Sequence, residues 1–128
     1  MMTKPHVLLV EDELVIRQAF EIILTNQDYD IDIAANGEEA AKLCESYHYD
    51  LILLDLMMPV LDGVGFLEKV NPAKNLQDTR VVILSNLSSG EAINQAIELG
   101  AHRSEIKANL GPAELIKLVS DELANRAS

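Results

Sequence analysis

The chain has 128 residues, of which 10 are basic and 21 acidic, giving a formal net charge of −11; 48% are hydrophobic but only 4% aromatic, so the core is aliphatic. That length suits one domain burying about two-thirds of its unfolded surface. The acidic balance argues against direct binding to nucleic acid or an anionic membrane, the lone Cys44 excludes an intramolecular disulfide and fits a reducing cytoplasm, and no apolar run reaches the roughly 18 residues of a membrane span.

Val7–Val10 is the first of five predicted strands and leads straight into Glu11-Asp12-Glu13, an acidic cluster foreign to signal peptides. Spacing from Leu14 to Thr25 predicts an amphipathic helix with Val15, Ala19, Ile22 and Ile23 on one face. Ile31–Ala34 predicts the second strand, Asn36-Gly37 a turn, and Glu38 to Tyr47 the second helix. There Cys44 joins Ala40, Ala41 and Leu43 as a small core residue rather than a reactive thiol. In Leu51–Asp55 an unbroken aliphatic run precedes the aspartate, the pattern of a parallel strand buried on both faces. A third helix spans about Val64–Val70 and stops at Asn71-Pro72, and Asn71–Thr79 reads as the longest polar loop. Val81–Leu84 is the fourth strand, followed by a helix from near Ser89 to Gly100 that buries Ile93, Ala96 and Ile97. Arg103–Lys107 is the weakest strand, and a fifth helix opens at Gly111-Pro112 and buries Leu115, Ile116, Val119 and Leu123, with Ala124–Ser128 a frayed tail. Five βα units imply a doubly wound α/β domain over residues 1–128, core about 6–124, with helices on both faces of a parallel sheet. His6, His48 and His102 lack ligand spacing and read as surface residues without a role.

Ligands of open α/β sheets bind beyond the carboxyl ends of the strands. Here those ends carry Glu11-Asp12, Asp55, Ser85 and Lys107. Each has a plainer reading: Asp55 starts a solvated loop, Glu11-Asp12-Glu13 favours a helix dipole, Ser85 caps, Lys107 is a solvated loop lysine. Taken together they compose a site. Three converging carboxylates repel one another unless a cation intervenes, and an all-oxygen donor set suits a hard ion such as Mg²⁺. A lysine and a hydroxyl nearby suit a phosphoryl oxygen. The chemistry that follows is phosphoryl transfer onto Asp55 as nucleophile, charge being neutralised by Mg²⁺ and Lys107.

From Val7 to about Leu123 the chain resembles the receiver domain of bacterial two-component response regulators. The likeness is carried by Leu8-Leu9-Val10-Glu11-Asp12-Glu13, Asp55-Leu56-Met57-Met58-Pro59 with Asp62-Gly63, Val82-Ile83-Leu84-Ser85, and Leu99-Gly100-Ala101 leading to Lys107. The resemblance implies a flavodoxin-like five-stranded sheet of order 2-1-3-4-5. It implies Asp55 as phosphoacceptor, fed by a histidine kinase or phosphotransfer protein, and Mg²⁺ held by Asp12, Asp55, Glu11 (directly or through water) and the backbone carbonyl of Met57. Ser85 would bond the phosphoryl group and Lys107 pair with it. It also implies readout to a protein target through the fourth helix, fifth strand and fifth helix, in a cytoplasmic protein that is a monomer or weak dimer.

Three positions depart from the family pattern. Ser104 stands where an aromatic residue usually moves inward on phosphorylation, so a smaller or differently routed shift is expected. Ala108 replaces the proline that often follows the lysine, and a trans bond is expected because cis costs about 3 kcal/mol more. Asn86 replaces a very small residue and is expected to narrow access to Asp55. Rival readings are a receiver-fold binding module with impaired phosphorylation, an aspartate-nucleophile phosphatase and a flavin carrier. Met57 stands where the phosphatase needs an acid, and Glu11-Asp12-Glu13 would repel a flavin's phosphate. The chain is therefore read as no enzyme beyond slow self-catalysed phosphorylation and dephosphorylation.

Overall fold

Five parallel strands form the centre: β1 (His6–Val10), β2 (Asp30–Ala34), β3 (Leu51–Asp55), β4 (Arg80–Ser85) and β5 (Arg103–Ile106), hydrogen-bonded in the order β2-β1-β3-β4-β5. The computed structural model describes residues 4–86 and 90–126. Period-two alternation splits the strands between two cores. Val7, Leu9, Leu51, Leu53, Val82 and Leu84 face α1 (Leu14–Thr25) and α6 (Pro112–Ala124). Leu8, Val10, Ile52, Leu54, Val81 and Ile83 face α2 (Gly37–Ser46), α3 (Gly63–Val70) and α5 (Glu91–Glu98). Burial on both faces is why the central strands read as continuous aliphatic runs. The chain reverses direction across the sheet between β1 and β3, and Glu11 and Asp55 end those two neighbours.

Several local expectations need correction. On α1 the buried side chains are Phe20 and Leu24, with Ile16 and Ile23 partly covered, whereas Val15 is 79% and Ile22 64% exposed. On α5 only Ala96 is fully buried, and Ile97 is exposed. The polar stretch after α3 contains a further short helix, α4 (Pro72–Asn75). Asn71 adopts a left-handed φ of 50° that ends α3 and re-aims the chain, and Pro72 starts the next turn. The predicted fourth and fifth helices are thus α5 and α6. Ser89, expected to open the fourth helix, lies outside the described residues. Strand β5 ends one residue earlier than expected, and Lys107 opens a 3₁₀ turn through Asn109. Among the described residues there is no cis peptide bond, so Lys107–Ala108 is trans. Among the described residues of the tail expected to fray, only Ala124 is helical, while the Arg126 side chain lies 3.8 Å from Asp50. Residues 127–128 are outside the description. Cys44 is half-buried against the core, its thiol pushed up to about 11 by burial, in keeping with a packing role.

The histidines are not uniformly idle. His6 shares a 2.8 Å hydrogen bond with Asp32, to which the buried Tyr49 hydroxyl also donates. His102 accepts from the Val81 backbone N–H through Nδ1. His48 and His102 are exposed, as expected, and His6 is half-buried.

The loop after β3 contains a tight turn in which the Leu61 N–H reaches the Pro59 carbonyl at 2.8 Å, with Val60 between them at φ 68°. A β-branched residue strains this left-handed conformation, and Val60, 79% exposed, gains little burial in return. Asparagine tolerates that φ. Val60→Asn is expected to raise stability by about 1 kcal/mol and Tm by roughly 3–6 °C, read by thermal unfolding. An unchanged or lower Tm would show the turn to be unstrained.

Candidate functional site

Strand pairing sets the site. Val10 pairs with Leu54, so the residues that follow, Glu11 and Asp55, leave the sheet side by side. Asp55 pairs with Leu84 and Ser85 with Ile106, which puts Ser85 and then Lys107 on the same rim. The carboxylates of Glu11, Asp12 and Asp55 each offer an oxygen within 4.8 Å of the others. Glu11 and Asp55 are buried, Asp12 is half-buried, and Ser85 and Lys107 are buried.

The Lys107 ammonium lies 2.8 Å from Glu11 Oε1, 3.4 Å from Asp55 Oδ2 and 3.8 Å from Glu13 Oε1. The second Glu11 oxygen accepts from the Glu13 N–H at 3.1 Å, and Asp55 Oδ1 accepts from the Met57 N–H at 3.2 Å. Arg17, on the first turns of α1, donates to the Glu11 carbonyl at 3.1 Å. Glu13 and Arg17 did not figure among the expected site residues. The available signal was a cation about one helical turn beyond an acidic run, placed to fold back on it.

Two glycines let backbone close around the phosphoacceptor candidate. A Cβ on Gly63 would come within 2.7 Å of the Asp55 carbonyl oxygen, so α3 can start against the end of β3 only with glycine there. A Cβ on Gly37 would lie 2.5 Å from the Leu61 carbonyl, to which the Gly37 N–H donates at 2.8 Å. The Asp62 side chain caps α3 by accepting from the Gly65 N–H. Asn36 caps α2 through the Glu39 N–H, so the expected Asn-Gly turn is a helix start. Asn86 is exposed and lines a hollow of about 370 Å³ with Val15, Ile16, Phe20, Lys107 and Leu110. Ser104 is exposed on β5.

Electrostatics follow from this packing. Burial and then the neighbouring Glu11 raise the Asp55 carboxyl from 3.8 to about 7, against the lowering pull of Lys107 and the Met57 N–H. Burial alone would depress Lys107, but the hydrogen bond to Glu11 and the charge of Asp55 outweigh it and hold the ammonium above its ordinary value. Lys107 thus stays cationic while Asp55 sits near its titration point at neutral pH. A further cation placed beside it would favour its charged form.

Residues 7–120 match the family model for the response regulator receiver domain. The chain belongs to that family. Receiver domains of this kind are parts of two-component regulatory systems. A probable transcriptional regulator ycf27 of Cyanidium caldarium is 37% identical over 110 residues, which cover 86% of this chain and 43% of that protein. The chain spans about half the length, 55% and 43%, of two curated relatives it matches. The solved receiver domain of Francisella response regulator 1452 is 31% identical, with a TM-score of 0.81 over 94% of this chain and 98% of that one. The receiver domain of the Pseudomonas aeruginosa sensor histidine kinase PA1611 is 24% identical, with a TM-score of 0.84 over 96% and 100% of the two chains, and shares the fold; its own cleft coordinates a magnesium ion. No helix among the described residues is long and apolar enough to cross a membrane.

The raised Asp55 sets a pH dependence. A folded-state carboxyl above its unfolded value means the folded chain binds the extra proton between about pH 4 and 7. That stabilisation is complete below about pH 4 and is lost as pH rises through about 7. Glu11, Asp12 and Glu13 around it carry like charge and Lys107 the opposing one. Without divalent cation, Asp55→Asn is therefore expected to be more stable than wild type at pH 8, by roughly 1–3 kcal/mol, the gap closing towards pH 5 in urea unfolding. An equal gap at both pH values would contradict the raised carboxyl.

Proposed function

We propose that Asp55 is the phosphoacceptor of a two-component pathway, receiving the phosphoryl group of a phosphohistidine on a histidine kinase or phosphotransfer protein. The observation that carries this reading is the buried contact of Lys107 with Asp55 and Glu11, beside a half-buried Asp12. In the transfer, an Asp55 oxygen attacks phosphorus, the bond to the donor's imidazole nitrogen breaks, and its electron pair returns to the ring. Lys107 neutralises charge on the equatorial oxygens, Ser85 donates its hydroxyl to one of them, and the Met57 N–H holds the carboxylate in line.

The all-oxygen donor set fits Mg²⁺, for which Asp12, Asp55, Glu11 and the Met57 backbone carbonyl are the proposed ligands. When bound, the ion supplies charge neutralisation at the transferring phosphoryl group and brings down the carboxylate titration described above. Sustained hydrolysis is not expected, because Met57 offers no proton donor two residues beyond Asp55. The phosphorylated residue adds roughly 1.5–2 negative charges, which draw on Ser85 and Lys107 and bias the loops after β4 and β5. With Ser104 lacking a ring, the shift is smaller or passes through other side chains. Output goes by protein contact through the α5, β5 and α6 face, in the cytoplasm, from a monomer or weak dimer.

Incubation with acetyl phosphate and Mg²⁺, followed by intact-mass measurement, tests the assignment. Wild type should gain one phosphoryl group, Asp55→Asn none, and Lys107→Ala should be slowed at least about tenfold. Labelling of Asp55→Asn at the wild-type level, or none in wild type, would overturn it.

A further inference from the structure

The strand that delivers Lys107 is the least secured in the sheet. Strand β5 lies at the edge, pairs only with β4, and keeps four register pairs, from Val82–Arg103 to Ser85–Ile106. Its residues are half-buried or exposed, whereas those of β4 from Val81 onwards are buried. A strand with one neighbour and little burial is prone to fray or slip, and one step of slippage would send each side chain to the opposite face. Lys107 immediately follows this strand, and its contacts with Glu11 and Asp55 require the ammonium to arrive from one register.

At the amino end of β5, Arg103 reaches the buried Glu122 of α6 at 3.3 Å, and His102 ties the backbone to β4 by two hydrogen bonds. The His102 backbone N–H donates to the Val81 carbonyl at 2.8 Å, and the His102 imidazole Nδ1 accepts from the Val81 N–H at 3.0 Å. The ring takes the part a backbone carbonyl would play in continuing the ladder. The preceding Gly100, at φ 118°, turns the chain out of α5 to present it.

We infer that neutral His102 is a positioning residue for Lys107: its ring pins the start of β5 to β4 and thereby fixes the register in which the lysine reaches the acidic site. This rests on the phosphoacceptor reading only in what Lys107 is for; the pin stands on its own geometry. An Nδ1 that accepts a hydrogen bond cannot carry a proton, so acid breaks the second of the two bonds. From β4 the ring faces Arg80, whose charge also disfavours protonation, and from α6 it faces Glu122, which favours it. On the α4 side its neighbours include Pro72, Ala73, Leu76 and Gln77, none of them titratable. Partial burial and Arg80 outweigh Glu122, so the ring titrates below its ordinary 6.5. The lowered folded-state value means the clamp's stability is present in full above about 6.5 and declines as pH falls below it.

Asparagine separates positioning from bulk, since its side-chain oxygen can take the place of Nδ1 and does not titrate, whereas leucine fills the space without accepting. Amide hydrogen exchange at Val81, corrected for the intrinsic pH dependence, should show protection falling about tenfold in wild type on acidification from pH 7.5 to 5, staying level in His102→Asn, and low throughout in His102→Leu. At pH 7.5 the Cε NMR signal of Lys107 should move in His102→Leu and stay at its wild-type position in His102→Asn. Phosphoryl uptake from acetyl phosphate with Mg²⁺ should fall several-fold in His102→Leu and be restored in His102→Asn. Full Val81 protection in His102→Leu would remove the pin. Lost protection with an unmoved Lys107 signal would remove the positioning role. Absence of uptake in every protein, wild type included, would overturn the phosphoacceptor reading, while exchange and the lysine signal still decide the pin.

Discussion

A buried ammonium shared between two carboxylates governs how this end of the molecule is put together. Glu11 and Asp55 end adjacent parallel strands, so the pairing that builds the core also forces two negative charges into one poorly solvated space. Lys107 is the opposing charge in contact, and it comes from the far side of the sheet, beyond β4. Ion pairs taken out of water give little net stability, because desolvation offsets most of the attraction. On the proposed function, this cluster is stored reactivity: a carboxylate kept only partly compensated, with a cation already in place for an incoming anion.

The surrounding chain is built to keep that arrangement tight. Glycines at 37 and 63 let helices begin against backbone where a side chain would collide. Arg17 reaches back to the Glu11 carbonyl, and the Met57 N–H steadies one Asp55 oxygen. Further along the rim the bracing thins, because β5 has one neighbour and depends on His102 at its base. Arg103, at the start of β5, adds contacts to Glu105 and to the buried Glu122 of α6. Contacts are thus densest beside Asp55 and sparser along the strand that carries its counter-charge, which on the proposed function is a division suited to a switch.

What could be read from the sequence was what repeats or accumulates. Residues 51–54 announce a strand buried on both faces because every one must be apolar, and Asp55 stands out against that background. Single-face helices were harder. Between Leu14 and Leu24, apolar side chains occur on more than one side of α1, and periodicity alone selected Val15 and Ile22 where the sheet and α6 cover Phe20 and Leu24. The role of His102 left no local trace, since its partner is a main-chain N–H 21 residues away. Glu13 read as a helix-start charge and Arg17 carried no sequence signal of its own, until the loop's course brought one towards Lys107 and the other onto Glu11. Contacts made by backbone atoms are the ones residue types describe least.

The bond from Gly37 to Leu61 joins the first turn of α2 to the loop that follows Asp55. Helix α2 otherwise leans on the sheet and α3, remote from the lysine side of the rim. Through this carbonyl, a displacement of the loop must either carry the helix start with it or break the link. The α2 end of the molecule therefore has its own mechanical line to the aspartate, separate from the one that runs through β5, and a ligand gripping that helix would feel the state of the loop without touching the opposite face.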